Sequence, residues 1–422
     1  MSKFNEVLAR NTSDVAKGLF GFSQSVAFSH YNNLSAQLPI DSSGKLVSND
    51  IKEQAIQCFK NIDKIVKSIN HTLDDVVRLT IITKSTNDFD VAIDVLNSFF
   101  KDYKPALTLI AVKDIPLNAC IQVEAVITCG EGTIPNAPQP GDLIKLVRNT
   151  TNAPINNYSS QTVAFSHYNH LSSQLPIDPK TNQIIKGGLK EELNQCLKNV
   201  KNILESIDVP FDDIVKVNIY TTEIKECEAI IEIYKTFFPD SGIARAVNYF
   251  PALSINSVDG LPMNAKIQVE VVVSHGDGTP PQLVEDRHGI VIEANNTKLA
   301  YVNPISSQTV AFSHYNNISE QFPVDSNNKI VSNDINSQLS QCIENLKLIV
   351  ESVDHKLTDV VKLNIYVEDI NQINGFETIL NKYFSILPAG RIIATNTLNF
   401  KDALVKIDAI VSNAEGTPPI HK

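Results

Sequence analysis

Tryptophan is absent from this 422-residue chain and methionine occurs only at Met1 and Met263, so phenylalanine and tyrosine must supply the large rings of any core. No apolar run is long enough to span a bilayer, which excludes a transmembrane helix and a membrane partner of that kind. The first residues, MSKFNEVLARNTSD, lack an apolar secretory segment, and the cytoplasm is the expected location. Basic residues do not balance the acids: 36 Lys and Arg against 47 Asp and Glu leave a formal charge of −11. With a pI of about 5.3, broad binding to nucleic acid or to an anionic membrane is disfavoured. Six cysteines form neither a disulfide framework nor a zinc spacing. No phosphate loop or dinucleotide fingerprint is present, so no cofactor is expected.

What is present is repetition. SQSVAFSHYNNLSAQLPID begins at Ser23, SQTVAFSHYNHLSSQLPID at Ser160 and SQTVAFSHYNNISEQFPVD at Ser307, spaced by 137 and 147 residues. A closing GEGTIP, GDGTPP or AEGTPP starts at Gly130, Gly276 and Ala414. The period is too long for a solenoid, so each copy has a core of its own. Pro140-Gly141 and the stretch 280–285 read as linkers, giving copies over 1–136, 143–282 and 288–422. Three like domains on one chain can meet around a pseudo-threefold axis, as three subunits do in a homotrimer.

Within copy one, 25–28 and 31–36 are strand-like, with Ser29-His30 as a tight turn between them. Pro39 and the Asp41–Gly44 cluster end that pair. A helix starts near Asp50, with Glu53 as its capping partner. Its apolar positions Ile51, Ala55, Cys58, Ile62, Ile65 and Val66 recur at helical spacing. A strand over 76–83, a helix over 89–100 and strands over 106–112 and 119–127 follow. The order predicts an α+β domain, a mixed sheet with two helices on one face. The opposite sheet face needs another cover, which the matching sheets around an axis would supply. Cys58, Cys196 and Cys342 occupy one helical position and read as core. Cys120 and Cys129 occur in copy one alone.

The LSxQLPID run, the strand opening at Asp74-Asp75-Val76-Val77, the helix ending in Phe99-Phe100 and the closing IQVEA from Ile121 resemble the RidA/YjgF family. The resemblance covers nearly the whole chain, three times over. It implies a chorismate-mutase-like fold and trimeric architecture, here a monomeric pseudotrimer. It also implies hydrolysis of imines and enamines derived from amino acids, releasing ammonia and a 2-oxo acid, so the expected partner is a small imino or oxo acid. In that family an arginine in a PAR motif binds the substrate carboxylate, and a carboxylate fifteen residues on is thought to orient water. A tyrosine near the start and the serine of an SGQ motif also line the pocket.

The carry-over is uneven. Counting back from the last-strand acids Glu124, Glu270 and Asp408 puts Leu107, Leu253 and Arg391 at the arginine position, which implies one surviving clamp, Arg391, with a residue inserted in copy three. A guanidinium suits the task because its two parallel N–H groups match two carboxylate oxygens. Fifteen residues beyond stand Gln122, Gln268 and Lys406, so the carboxylate is missing. The tyrosine position holds Phe22, Ser159 and Ser306. The serine is kept as Ser35, Ser172 and Ser319, either as donors to a ligand or as bonds to neighbouring backbone. His30, His167 and His314 would form a three-imidazole zinc site if an axis brought them together. Sequence spacing is silent on that distance, and a hairpin Ser-His more often lies exposed at a sheet end, so no metal is expected. The adjoining Tyr31, Tyr168 and Tyr315, with Asn32, Asn169 and Asn316, either line a cleft or cap the sheet.

Two functions follow. One is imine deamination at the single inter-domain cleft holding Arg391. The other is a catalytically degenerate metabolite-binding or regulatory scaffold, supported by the loss of the arginine from two copies and of the acid from all three. Ribonuclease action, attributed to some family members, is disfavoured by the acidic balance and the lack of a basic stripe with interleaved aromatics.

Overall fold

A computed structural model describes residues 6–129, 145–238, 249–274 and 292–413. The expected linkers at 140–141 and 280–285, and the three GT-containing closing signatures, lie outside the described residues.

In copy one the elements are β1 (Leu8–Arg10), β2 (Ser25–Phe28), β3 (Tyr31–Leu34), α1 (Ile51–Ser68), β4 (Val76–Thr83), α2 (Phe89–Phe99), β5 (Ala106–Ala111) and β6 (Ile121–Thr128). Copy two repeats them as β7 (Leu146–Arg148), β8 (Thr162–Phe165), β9 (Tyr168–Leu171), α3 (Leu189–Ser206), β12 (Ile214–Thr221), α4 (Cys227–Phe237), β13 (Ala252–Ser257) and β14 (Ile267–Ser274), with a small hairpin of β10 (Ile177–Asp178) and β11 (Gln183–Ile184) before its first helix. Copy three has β15 (Ile292–Asn295), β16 (Thr309–Phe312), β17 (Tyr315–Gln321), α5 (Ile335–Glu351), β18 (Val360–Val367), α6 (Phe376–Tyr383), β19 (Ala389–Ala394) and β20 (Val405–Ser412). Each copy builds one six-stranded sheet; in copy one the order is β1-β2-β3-β6-β4-β5. The β4–β5 pair is parallel and the other pairs are antiparallel, so the sheet is mixed. The edge strands β1, β7 and β15 are additions to the expected order. They are three or four residues long, too short to leave a clear alternation in the sequence.

The first helix begins where the sequence says. Asp50 accepts a hydrogen bond from the Glu53 N–H at 2.9 Å, capping α1, and Ala55, Cys58, Ile62, Ile65 and Val66 are buried beneath it. They pack on Leu79, Ile81, Leu107, Val123 and Ala125 of the sheet, with Ala92, Val95 and Leu96 of α2. Cys58, Cys196 and Cys342 are fully buried. The LPID loop is tied to the helix by Asn61, whose amide donates to the carbonyls of Leu38 at 3.1 Å and Ile40 at 3.0 Å. Asn199 and Asn345 repeat this bond in the other copies.

The opposite sheet faces meet one another. Val26, Phe28, Tyr31, Val77 and Val126 join their counterparts from copies two and three in one apolar cluster. The three copies are therefore joined through their sheets, with helices outside.

Candidate functional site

Three seams run between neighbouring copies, and the repeated serines sit in them. Ser35 Oγ donates to the Ser23 carbonyl at 2.6 Å and accepts from the Gly390 N–H at 2.7 Å. Ser172 makes the same pair of bonds, to the Ser160 carbonyl at 2.6 Å and from the Leu107 N–H at 2.8 Å. Ser319 does so with Ser307 at 2.6 Å and Leu253 at 2.9 Å. Copy one thus leans on copy three, copy two on copy one, and copy three on copy two. Each serine thus makes the neighbouring-backbone bond of the second reading and ties two copies together.

Gln122, Gln268 and Lys406 share a second stitch. Gln122 Nε2 donates to the Ile392 carbonyl at 3.1 Å, and Gln268 Nε2 to that of Leu109 at 3.1 Å. Lys406 Nζ donates to the carbonyl of Ile255. The charge of Lys406 is met by Glu320, 2.7 Å away, whose Oε2 also accepts from the Ile255 N–H at 3.0 Å. Glu320 was not among the expected site residues. It was detectable as an acid in the otherwise uncharged x position of LSxQ, in the same copy as the new Lys406.

Strand register corrects the alignment of Arg391. Leu107 pairs with Leu79, Leu253 with Val217, and Gly390 with Leu363. Gly390 therefore stands level with the two leucines, and Arg391 stands level with Thr108 and Ser254 on the other sheet face. The extra residue of copy three lies in the β19–β20 connection, beyond the PAG sequence, which is why counting back from Asp408 misassigned it. All three positions are closed. Leu107 and Leu253 are in their domain cores, with Tyr158 and Ile305 of the adjoining copies packed alongside. At Gly390 the space is taken by Phe22: a Cβ placed there would lie 2.4 Å from its ring.

Arg391 instead joins a buried group of charges at the sheet junction. Its Nη1 is 3.3 Å from Glu124 Oε1, and its Nη2 donates to Tyr366 Oη at 2.7 Å. Lys362 Nζ lies 3.1 Å from the other oxygen of Glu124. Arg78 Nη1 donates to Glu270 Oε1 at 3.1 Å. Lys216 Nζ donates to Ser254 Oγ at 3.0 Å, which in turn donates to Asp408 Oδ2 at 3.0 Å. The bonds run in a ring, from copy one to two, two to three, and three to one. Burial raises the Glu124 carboxyl, but Arg391, Lys362 and Arg78 outweigh it and bring it down to about 2. The cavity among these groups is about 30 Å³, room for water but not for an amino-acid-sized ligand.

The hairpin residues meet at the centre as well. The rings of His30, His167 and His314 lie 5.9 Å apart, centroid to centroid, in every pairing. The expectation of exposed histidines is thus corrected: they are half-buried and face one another, because the sheets converge at their turn ends. Tyr31, Tyr168 and Tyr315 form the next layer, with rings 6.0–6.1 Å apart. Each hydroxyl donates to a carbonyl of the next copy: Tyr31 to Phe165, Tyr168 to Phe312, Tyr315 to Phe28. Asn33, His170 and Asn317 line the space between these tyrosines and Arg78. Burial, then the neighbouring His314, pull the His30 imidazole down to about 4, and burial lowers that of His314.

The family model described as Endoribonuclease L-PSP matches residues 15–129, 150–275 and 297–413. The chain belongs to the RidA/YjgF family. Among its relatives, a human 2-iminobutanoate/2-iminopropanoate deaminase is 33% identical over 143 residues, 33% of this chain and 98% of that protein. A RutC family protein of Aquifex aeolicus is 37% identical over 119 residues, 28% of this chain and 89% of that protein. A solved Rid-family protein of unknown function from Yersinia pestis, 30% identical, covers 31% of this chain and 100% of its own length at a TM-score of 0.29.

Among the described residues of this RidA-family chain, a further opening has room for a ligand. A cleft of about 550 Å³ in copy two is lined by Ser159, Ser172, Ser173, Gln174, Tyr158 and Asn156, among others, with Met263 at its edge. Ser159 and Ser172 are thus brought together. Among the described residues of its wall none carries a charge; they offer hydroxyls, amides and apolar groups. In copy three the matching place is filled by the rings of Tyr301, Phe322 and Phe400, 5.0–5.8 Å apart. Ser306 and Ser319 are buried there, and Phe22 and Ser35 are buried at the copy-one seam.

Proposed function

We propose that this protein is a RidA-family pseudotrimer that binds an uncharged metabolite in the copy-two cleft and has lost turnover of 2-imino acids. The observation that carries the reading is the strand register, with Leu107, Leu253 and Gly390 where the family places its carboxylate-binding arginine. A carboxylate taken into such a seam would lose its hydration and meet no cation at the arginine position, and Lys406 in the third seam is already neutralised by Glu320; the cost is several kcal/mol, on the order of that for other unpaired buried charges. The copy-two cleft suits a small ligand bearing amide or hydroxyl groups, since Asn156, Ser173 and Gln174 offer donors and acceptors and Tyr158 a flat apolar wall.

The test is ammonia release from freshly generated 2-aminoacrylate or 2-iminobutanoate, alongside a thermal-shift screen of uncharged amides and alcohols. The proposal expects the buffer rate for wild type and Arg391→Ala alike, and a ligand-induced shift that Ser173→Phe abolishes. Release above the buffer rate would sink it.

The second reading, imine hydrolysis, is favoured by the name of the human relative. It needs a cation to hold the substrate carboxylate, and Lys406, at the family's water-orienting position, is the candidate. Wild-type turnover above the buffer rate that is lost in Lys406→Gln and kept in Arg391→Ala would establish that reading.

A further inference from the structure

We propose that His30, His167 and His314 form a tripod that binds one transition-metal dication of the zinc, cobalt or nickel type at the junction of the three copies. Each histidine offers one ring nitrogen, and the three nitrogens lie within 4.8 Å of one another. Among the described residues, no other set of three His, Cys, Asp or Glu side chains has this geometry. A tetrahedral zinc with bonds of about 2.0–2.1 Å separates its nitrogens by about 3.3 Å, so small side-chain rotations close the tripod. Three imidazoles select borderline transition metals and reject magnesium and calcium, which take oxygen.

The base of the tripod is held in place. Each histidine is the second residue of a two-residue turn, and the serine before it is in the left-handed region: Ser29 at φ 49°, Ser166 at 52° and Ser313 at 49°. The His30 carbonyl accepts from the Cys129 N–H at 2.6 Å, and that of His314 from the Asn413 N–H at 2.7 Å. One residue on, the tyrosine layer bonds each hairpin to the next copy. The imidazoles are thus presented by a braced frame, the condition for a site that binds with little reorganisation. Because each copy supplies one ligand, the metal would clip all three domains at one end of their junction. It would stabilise the fold by binding the native chain in preference to the unfolded one.

The full chain is stripped with a chelator, then titrated with Zn²⁺ and separately with Co²⁺. One zinc per chain after gel filtration, a rise of several degrees in Tm, and the visible absorption of four- or five-coordinate cobalt are expected. His167→Ala and the milder His314→Gln should each weaken zinc by more than about 100-fold, beyond the loss of an outer-sphere partner. No zinc retained by wild type at micromolar concentration overturns the proposal, as does a cobalt spectrum unchanged in His167→Ala. Should a variant unfold, wild-type stoichiometry and the cobalt spectrum decide.

Discussion

Single positions, rather than the overall repeat, set what each seam can hold. Gly390 admits the ring of Phe22, and Gly390→Ala would force the two together. We expect a loss of about 1–3 kcal/mol, the range for overpacking, measured by urea unfolding; an unchanged midpoint would mean Phe22 moves freely. His170 stands where the sister copies have Asn33 and Asn317. Burial, and then the Arg78 charge, hold its imidazole well below the ordinary histidine range. The unfolded chain takes up that proton below about pH 6.5 and the native chain does not, so stability present above pH 6.5 is lost as pH falls. His170→Asn should remove one proton from this linkage, about 1.4 kcal/mol per pH unit. Urea midpoints of wild type and variant at pH 7.5, 6.0 and 5.0 would check it; parallel pH dependence in both would refute it.

Among the elements, helices were the most legible and seams the least. The spacing of Ala55, Cys58, Ile62 and Val66 marked the buried face of α1, since 3.6-residue periodicity acts within a few turns. Asp50 as its cap was visible for the same local reason. Asp50→Ala should cost about 1 kcal/mol, read from thermal or urea unfolding; a change under a few tenths would show that packing alone sets the helix start. The short edge strands left no such mark. Arg391 shows the limit of counting: the alternation of β19 decides its face, and a residue added beyond the strand shifted the count without shifting the strand. Lys406, by contrast, was placed level with Gln122 and Gln268 by the same count because no insertion separates it from Asp408.

At the scale of the molecule, charge is paired in a ring across the copies. Glu270 receives Arg78 from copy one, together with Asn218 of its own sheet at 2.9 Å. Glu270→Ala would leave Arg78 buried without its anion, a loss of about 3–5 kcal/mol by the usual behaviour of broken buried pairs. Equilibrium unfolding would measure it, and a loss below 1 kcal/mol would mean that water already satisfies the guanidinium. The ring also explains how Arg391 is tolerated. An additional cation beside Glu124 and Asp408 meets two carboxylates and the Tyr366 hydroxyl, so its burial is compensated.

By itself the sequence determined the number of copies, the α+β order within each, the helix faces and the buried cysteines, because these follow from local periodicity and repetition. Only the tertiary structure decided that Arg391 turns away from the seam, that the serines bond to backbone, and that three histidines far apart in the chain stand around one point. Those outcomes depend on strand alternation and on distances between domains, and neither is encoded in the spacing of residues along one copy.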